Sequence, residues 1–141
     1  MDGYDRALLF TYLGQVPTFA ACSELELEHL LGLAEMRAVD AGTEILREGE
    51  IGEEFFLVAQ GDVTVERRGH AVAQLGPGSF FGELALFDDA PRNASVSAVG
   101  PTACAVFTRA RFVDALDEIP ALRDSLLRGM ARRLHELDAR A

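Results

Sequence analysis

Between Phe80 and Val96 an acid and a guanidinium stand where their chemistry could converge on one small anion. Gly82 has no Cβ and permits close backbone approach. The run Glu83–Phe87 is long enough for one short helical turn, whose first amides, those of Leu84 and Ala85, would aim free donors at an anion. Arg92 stands in a mostly apolar context between a proline and a strand, where an unpaired guanidinium is costly to bury unless something negative meets it. Two partners are open to it. One is Glu83, in an internal salt bridge. The other is a ligand that carries both an anion and a hydroxyl, and this satisfies more atoms. A carboxylate accepting from a sugar hydroxyl, with an arginine forked onto a phosphate, describes a nucleotide held by its ribose-phosphate end.

Holding such a pair requires a frame, and the chain changes periodicity in a way that supplies one. Residues 5–34 read as helix: Leu8, Leu9, Tyr12 and Leu13 recur at helical spacing until Pro17 breaks the run. Ser23 with Glu26 is a capping box that opens a second helix, whose apolar face would be Leu25, Leu27, Leu30, Leu31 and Ala34. From Met36 to Thr108 the texture turns to short strands, 44–46, 55–58, 63–66, 71–75 and 95–99, punctuated by glycines. Val63 and Val65 alternate with Thr64 and Glu66, as Val96 and Ala98 do with Ser95 and Ser97, so each strand has one wet and one dry face. This spacing implies a mainly β fold with flanking helices, a jelly-roll-like β-barrel or double-stranded β-helix. After Arg109 the helical period returns through Phe112, Val113 and Leu116, and Pro120 starts a longer helix. Within it Leu127, Met130, Leu134, Leu137 and Ala141 follow the a/d rhythm of a coiled coil, which reads either as a dimer seam or as packing on the chain's own barrel. The whole chain, 1–141, is expected to be a single domain: helices over 1–35, barrel over 36–108, helices over 109–141.

Composition narrows the chemistry further. The 13 basic residues are all arginine, so no lysine is present to form a Schiff base or to finish a P-loop. Against 23 acids they leave a net charge of −10, which repels nucleic acid and anionic membranes. Cys22 and Cys104 lie far apart without metal-ligand spacing, which favours free thiols in a reducing compartment. No apolar stretch approaches the roughly 18 residues of a membrane span, and no basic leader opens the chain, so a cytoplasmic location is expected. Gly76, Gly78 and Gly82 are spaced one residue too long for a dinucleotide fingerprint. His29, His70 and His135 are scattered, and Asp88–Asp89 lacks the remaining ligands of a calcium loop. No serine or cysteine sits in a nucleophile signature. Neither a catalytic group, a metal nor a cofactor is expected.

The run Phe81-Gly82-Glu83-Leu84-Ala85-Leu86, with Pro91-Arg92-Asn93-Ala94-Ser95-Val96 after it, resembles the phosphate-binding cassette of the cyclic nucleotide-binding domains. Members of that family include the bacterial cAMP receptor protein and the regulatory subunits of protein kinase A. The resemblance extends over Ile45–Gly49, Phe55–Val65 and Gly76–Gly82 and takes in the helices on either side. It implies that Glu83 receives the ribose 2′-hydroxyl and Arg92 the cyclic phosphate. Gly82, Ala85 and Asn93 would offer backbone amides beside Phe81, Leu84 and Ala94, and Val65, Val72 and Leu75 would form an apolar surface for the base.

Two departures from the family pattern bear on the base. Asn93 stands where Ala, Ser or Thr is common, and the hydroxyl-bearing base contacts of the bacterial receptors fall here on Leu137 and Asp138. Asp138 could accept from an adenine amino group, and Leu137 could cover the ring. The transcription factors of the family continue into a helix-turn-helix, whereas this sequence stops at Ala141, which reads as a stand-alone sensor or a cut-out module. The resemblance therefore implies a non-catalytic receptor for cAMP, or less readily cGMP, that signals by moving its C-terminal helices. It also implies a homodimer through Leu127, Met130, Leu134 and Leu137, and the acidic charge balance leaves no nucleic acid or membrane partner expected for this chain. The alternative is a ligand-free interaction or dimerisation module of the same fold, with Glu83 and Arg92 paired to each other.

Overall fold

Asp5 and Ser23 open the first two helices by the same device, a side-chain oxygen that takes an orphan amide of the first turn. Asp5 accepts from the Leu8 N–H at the start of α1 (Arg6–Gln15). Ser23 and Glu26 exchange both bonds of a capping box at the start of α2 (Glu24–Gly32). Pro17 ends the first run as expected and begins a single 3-10 turn, Pro17–Phe19. The computed structural model describes residues 3–140, with side chains to residue 136. No helix among them is long and apolar enough to cross a membrane.

Eight strands follow: β1 (Glu35–Val39), β2 (Glu44–Leu46), β3 (Glu54–Gln60), β4 (Val63–Arg67), β5 (His70–Leu75), β6 (Phe80–Phe81), β7 (Ser95–Ala98) and β8 (Thr102–Thr108). They form two antiparallel four-stranded sheets, ordered β1-β8-β3-β6 and β2-β7-β4-β5. The jelly-roll reading holds, as two sheets rather than one closed barrel. Their inner faces meet in one apolar cluster, with Phe56, Val58, Cys104 and Val106 from the first sheet and Val63 and Val96 from the second. Val63, Val96 and Ala98 are buried, in keeping with their alternation along β4 and β7. β1, β6 and β8 lie outside the five runs read from the sequence. β8 pairs with both β1 and β3 at the centre of its sheet, and six of its residues in a row are buried. A strand covered on both faces loses the alternation by which strands are recognised.

α3 (Arg109–Glu118) and α4 (Pro120–Arg140) complete the chain, and Pro120 occupies the first turn of α4, where a missing N–H is harmless. One compact unit is built from Ala34–Arg109 with Tyr4, the other from Asp5–Leu33 and the chain after Arg109. In the helical unit Leu9, Leu13, Leu27, Leu30, Leu31, Phe112, Leu122 and Leu126 are buried. Leu25, expected on the apolar face of α2, is 83% exposed, because it falls on the outer side of the helix. Gly129 of α4 packs directly against the Thr18 carbonyl, leaving no room there for a side chain. Cys22 and Cys104 are free thiols; Cys104 is buried and Cys22 only partly so. Burial pushes both thiols up to about 11.

Candidate functional site

Gly82 turns the chain through φ +80°, a left-handed conformation that suits glycine, and caps the 3-10 turn Glu83–Leu86. The turn is tight enough that the Ala85 N–H donates back to the Gly82 carbonyl at 3.1 Å. Of the two amides expected to be free at this turn, that of Ala85 is therefore engaged in the turn itself, while Leu84 precedes its first internal bond. Glu83 is 8% exposed, an unusual burial for a carboxylate. Ala85 and Ala94 are buried, whereas Leu84 and Asn93 are exposed.

Arg92 is fixed from both sides of its backbone. Its N–H donates to the Glu50 carbonyl and its own carbonyl accepts from the Gly49 N–H, each at 2.8 Å. Pro91 bridges to Ile51, and the Ser95 hydroxyl accepts from the Glu48 N–H at 2.9 Å. The 48–51 segment thus holds the Arg92 end of the cassette like a short strand.

From that anchor the Arg92 side chain reaches back across the cassette. Nη2 donates to the Glu54 carbonyl at 2.8 Å, and Nη1 to the Gly82 carbonyl at the longer distance of 3.4 Å. Among the described residues the hydrogen bonds of this guanidinium go to main-chain carbonyls, not to the Glu83 carboxylate. Two glycines make room for it. A Cβ on Gly52 would come within 2.5 Å of Nε and 2.6 Å of Cζ, and one on Gly82 within 2.8 Å of Nη1. Burial holds the Arg92 guanidinium below its ordinary pKa; the Glu54 carboxylate pulls the other way and the Arg109 charge adds to the depression. The side chain remains a cation, with two of its five N–H donors directed at neutral oxygens.

Three of these participants, Gly52, Glu54 and Arg109, are absent from the site read in the sequence. Gly52 counted there only as one of many turn glycines. Unlike Gly82 it has no positive φ, so what it supplies is space rather than conformational freedom. Glu54 contributes its carbonyl to Arg92 while its carboxylate forms a two-pronged pair with Arg37, at 2.8 and 3.3 Å.

The base-side residues are distributed less evenly. β7 begins with the last two residues of the cassette and pairs with β4, setting Val96 opposite Val65. Val65 and Leu75 are partly buried against the apolar cluster, and Phe81 stacks on Phe56 with ring centroids 5.0 Å apart. Val72 is 53% exposed; the residue opposite Val65 on β5 is Ala73, because the β4–β5 register slips between Val65 and Glu66. Leu137 and Asp138 lie outside the residues whose side chains are described.

A family model described as the cyclic nucleotide-binding domain matches residues 36–118. The chain is 38% identical to a cAMP-dependent protein kinase regulatory subunit of Mycosarcoma maydis over 69% of its own length, and spans only 19% of that relative. The N-terminal domain of a transcriptional regulator from Streptomyces coelicolor A3(2) has the same fold at a TM-score of 0.84 and 27% identity, over 92% of this chain and 94% of that one. The regulatory domain of Toxoplasma gondii PKA, crystallised with cAMP, superposes at a TM-score of 0.70 and 30% identity, over 81% of this chain and 44% of the other. Since the matched segment runs from the first strand through the cassette to the end of α3, the chain belongs to the cyclic nucleotide-binding domain family.

Proposed function

We propose that this chain is a non-catalytic cyclic nucleotide receptor whose ligand is cAMP in preference to cGMP. The carrying observation is the state of Arg92: a part-buried cation packed against two glycines, whose guanidinium hydrogen bonds among the described residues go to carbonyl oxygens, with a buried acid nine positions away in sequence. A cyclic phosphate would give that guanidinium an anionic hydrogen-bond partner. Glu83 would take the ribose 2′-hydroxyl, and the backbone around Gly82, Leu84, Ala85, Asn93 and Ala94 would close on the phosphate. Val65 and Leu75 would support the base from β4 and β5, together with Val72 and Phe81 in the wider apolar surface, and the family resemblance nominates Leu137 and Asp138 as further base contacts. The cAMP held by the Toxoplasma gondii relative supports the choice of ligand.

The output is conformational, a population shift of the helices from Arg109 onward in a cytoplasmic protein that dimerises through α4. The domain functions as one unit of sensing, without a nucleic acid or membrane partner of its own. Calorimetric titration with cAMP tests the reading. Arg92→Ala should weaken binding by about 2 to 5 kcal/mol, the cost of truncating one side of a buried charge pair. An unchanged affinity in that variant rejects the assignment.

A further inference from the structure

Arg109, the first residue of α3, is only 21% exposed in its side chain, and almost everything it touches belongs to the cassette. Nε donates to the Ala85 carbonyl at 2.7 Å, Nη2 donates to the Asp88 carbonyl at 2.8 Å, and Nη1 pairs with the Asp89 carboxylate. Its backbone N–H donates to the Glu53 carbonyl at 2.9 Å, and the Glu53 carboxylate lies 3.9 Å from Nη1. One planar group thus spans the end of the 3-10 turn and the loop after it. A fork of this kind fixes several acceptors in a single geometry, which a lysine could not reproduce.

Electrostatics gives the contact a second consequence. Asp88 and Asp89 are consecutive exposed acids in the loop that completes the cassette. Unneutralised, their charge would oppose an arriving phosphate. Arg109 also acts on the Arg92 guanidinium, so the two cations share one field.

Resting on the cyclic nucleotide reading above, we propose that Arg109 is a positioning residue for the ligand phosphate: it sets the cassette backbone through Ala85 and Asp88 before the nucleotide arrives, and it cancels the Asp89 charge that would repel it. Preorganisation of this kind raises affinity without any contact between Arg109 and the nucleotide.

The test is calorimetric titration of the full chain with cAMP, alongside thermal melting without ligand, for the wild type, Arg109→Met, Arg109→Lys and the double variant Arg109→Met/Asp89→Asn. Arg109→Met is expected to weaken Kd by about tenfold or more. Arg109→Lys keeps the charge and loses the fork, so it falls between. Asp89→Asn in the Arg109→Met background should restore part of the affinity without restoring the melting temperature, a recovery that a merely structural role would not produce. Should Arg109→Met fail to fold, Arg109→Lys with and without Asp89→Asn carries the same comparison. Unchanged affinity in the Arg109 variants overturns the proposal, as does a loss that Asp89→Asn leaves unaltered. A wild type that binds neither cAMP nor cGMP takes down the nucleotide reading itself.

Discussion

The contact between Gly52 and Arg92 separates two costs that usually travel together. A methyl group at position 52 would collide with the guanidinium, which is the far end of a flexible side chain and can swing away. The fold therefore has an inexpensive escape, and the phosphate contact does not. Gly52→Ala is expected to leave the melting temperature nearly unchanged while weakening cAMP binding by about 2 kcal/mol, within the range of one hydrogen bond to a charged group. Isothermal titration beside a melting curve decides it: equal affinities would mean that the seat on Gly52 is incidental to the ligand.

Helix packing in the second unit turns on a carboxylate used twice. Glu26 closes the capping box of α2 and also accepts from the Ser125 hydroxyl of α4 at 2.9 and 3.1 Å, where Ser125 is buried. Desolvation alone would raise the Glu26 pKa, but the bonds from Ser23 and Ser125, aided by the Arg128 charge, outweigh it and hold the carboxyl below its usual 4.5. A depressed folded-state pKa stabilises above the unfolded value, and that stability is lost as pH falls through the folded one. Ser125→Ala should thus cost about 1.5 kcal/mol near neutrality, and the gap to the wild type should narrow below about pH 4.5. Chemical denaturation at neutral and acid pH measures both; a gap that stays constant on acidification would show that the bond carries no charge assistance.

Taken as a whole, the molecule leaves an apolar stripe along its last helix. Leu127 and Leu134 are each 64% exposed and stand one heptad apart, with Met130 between them partly buried. Large apolar side chains at a/d spacing on one face suit a second copy of the same helix, the basis of the homodimer proposed above. Light scattering should report a dimer, and Leu127→Asp with Leu134→Asp should return it to monomer. A wild type that is monomeric with and without cAMP excludes this seam.

Much of this was legible before any coordinates, because the signals were local. A capping box, a helix-starting proline, alternation along β4 and β7, and the cassette from Phe81 to Val96 each involve residues a few positions apart, where backbone geometry alone relates them. What lay beyond reach involved residues brought together from a distance. β8 has no alternation to display, since both of its faces are covered. Arg92 and Gly52 are complementary in shape, yet nothing in either residue's neighbourhood names the other. Ala73 rather than Val72 stands opposite Val65 because a register slip re-aims the strand. The sequence by itself determined the family, the strand-rich class and the presence of an acid and an arginine within one cassette. Only the tertiary structure decided that the arginine lies on a glycine 40 positions earlier and that Arg109 clasps the loop beside it, because close packing between distant segments is settled by which backbones approach, not by local periodicity.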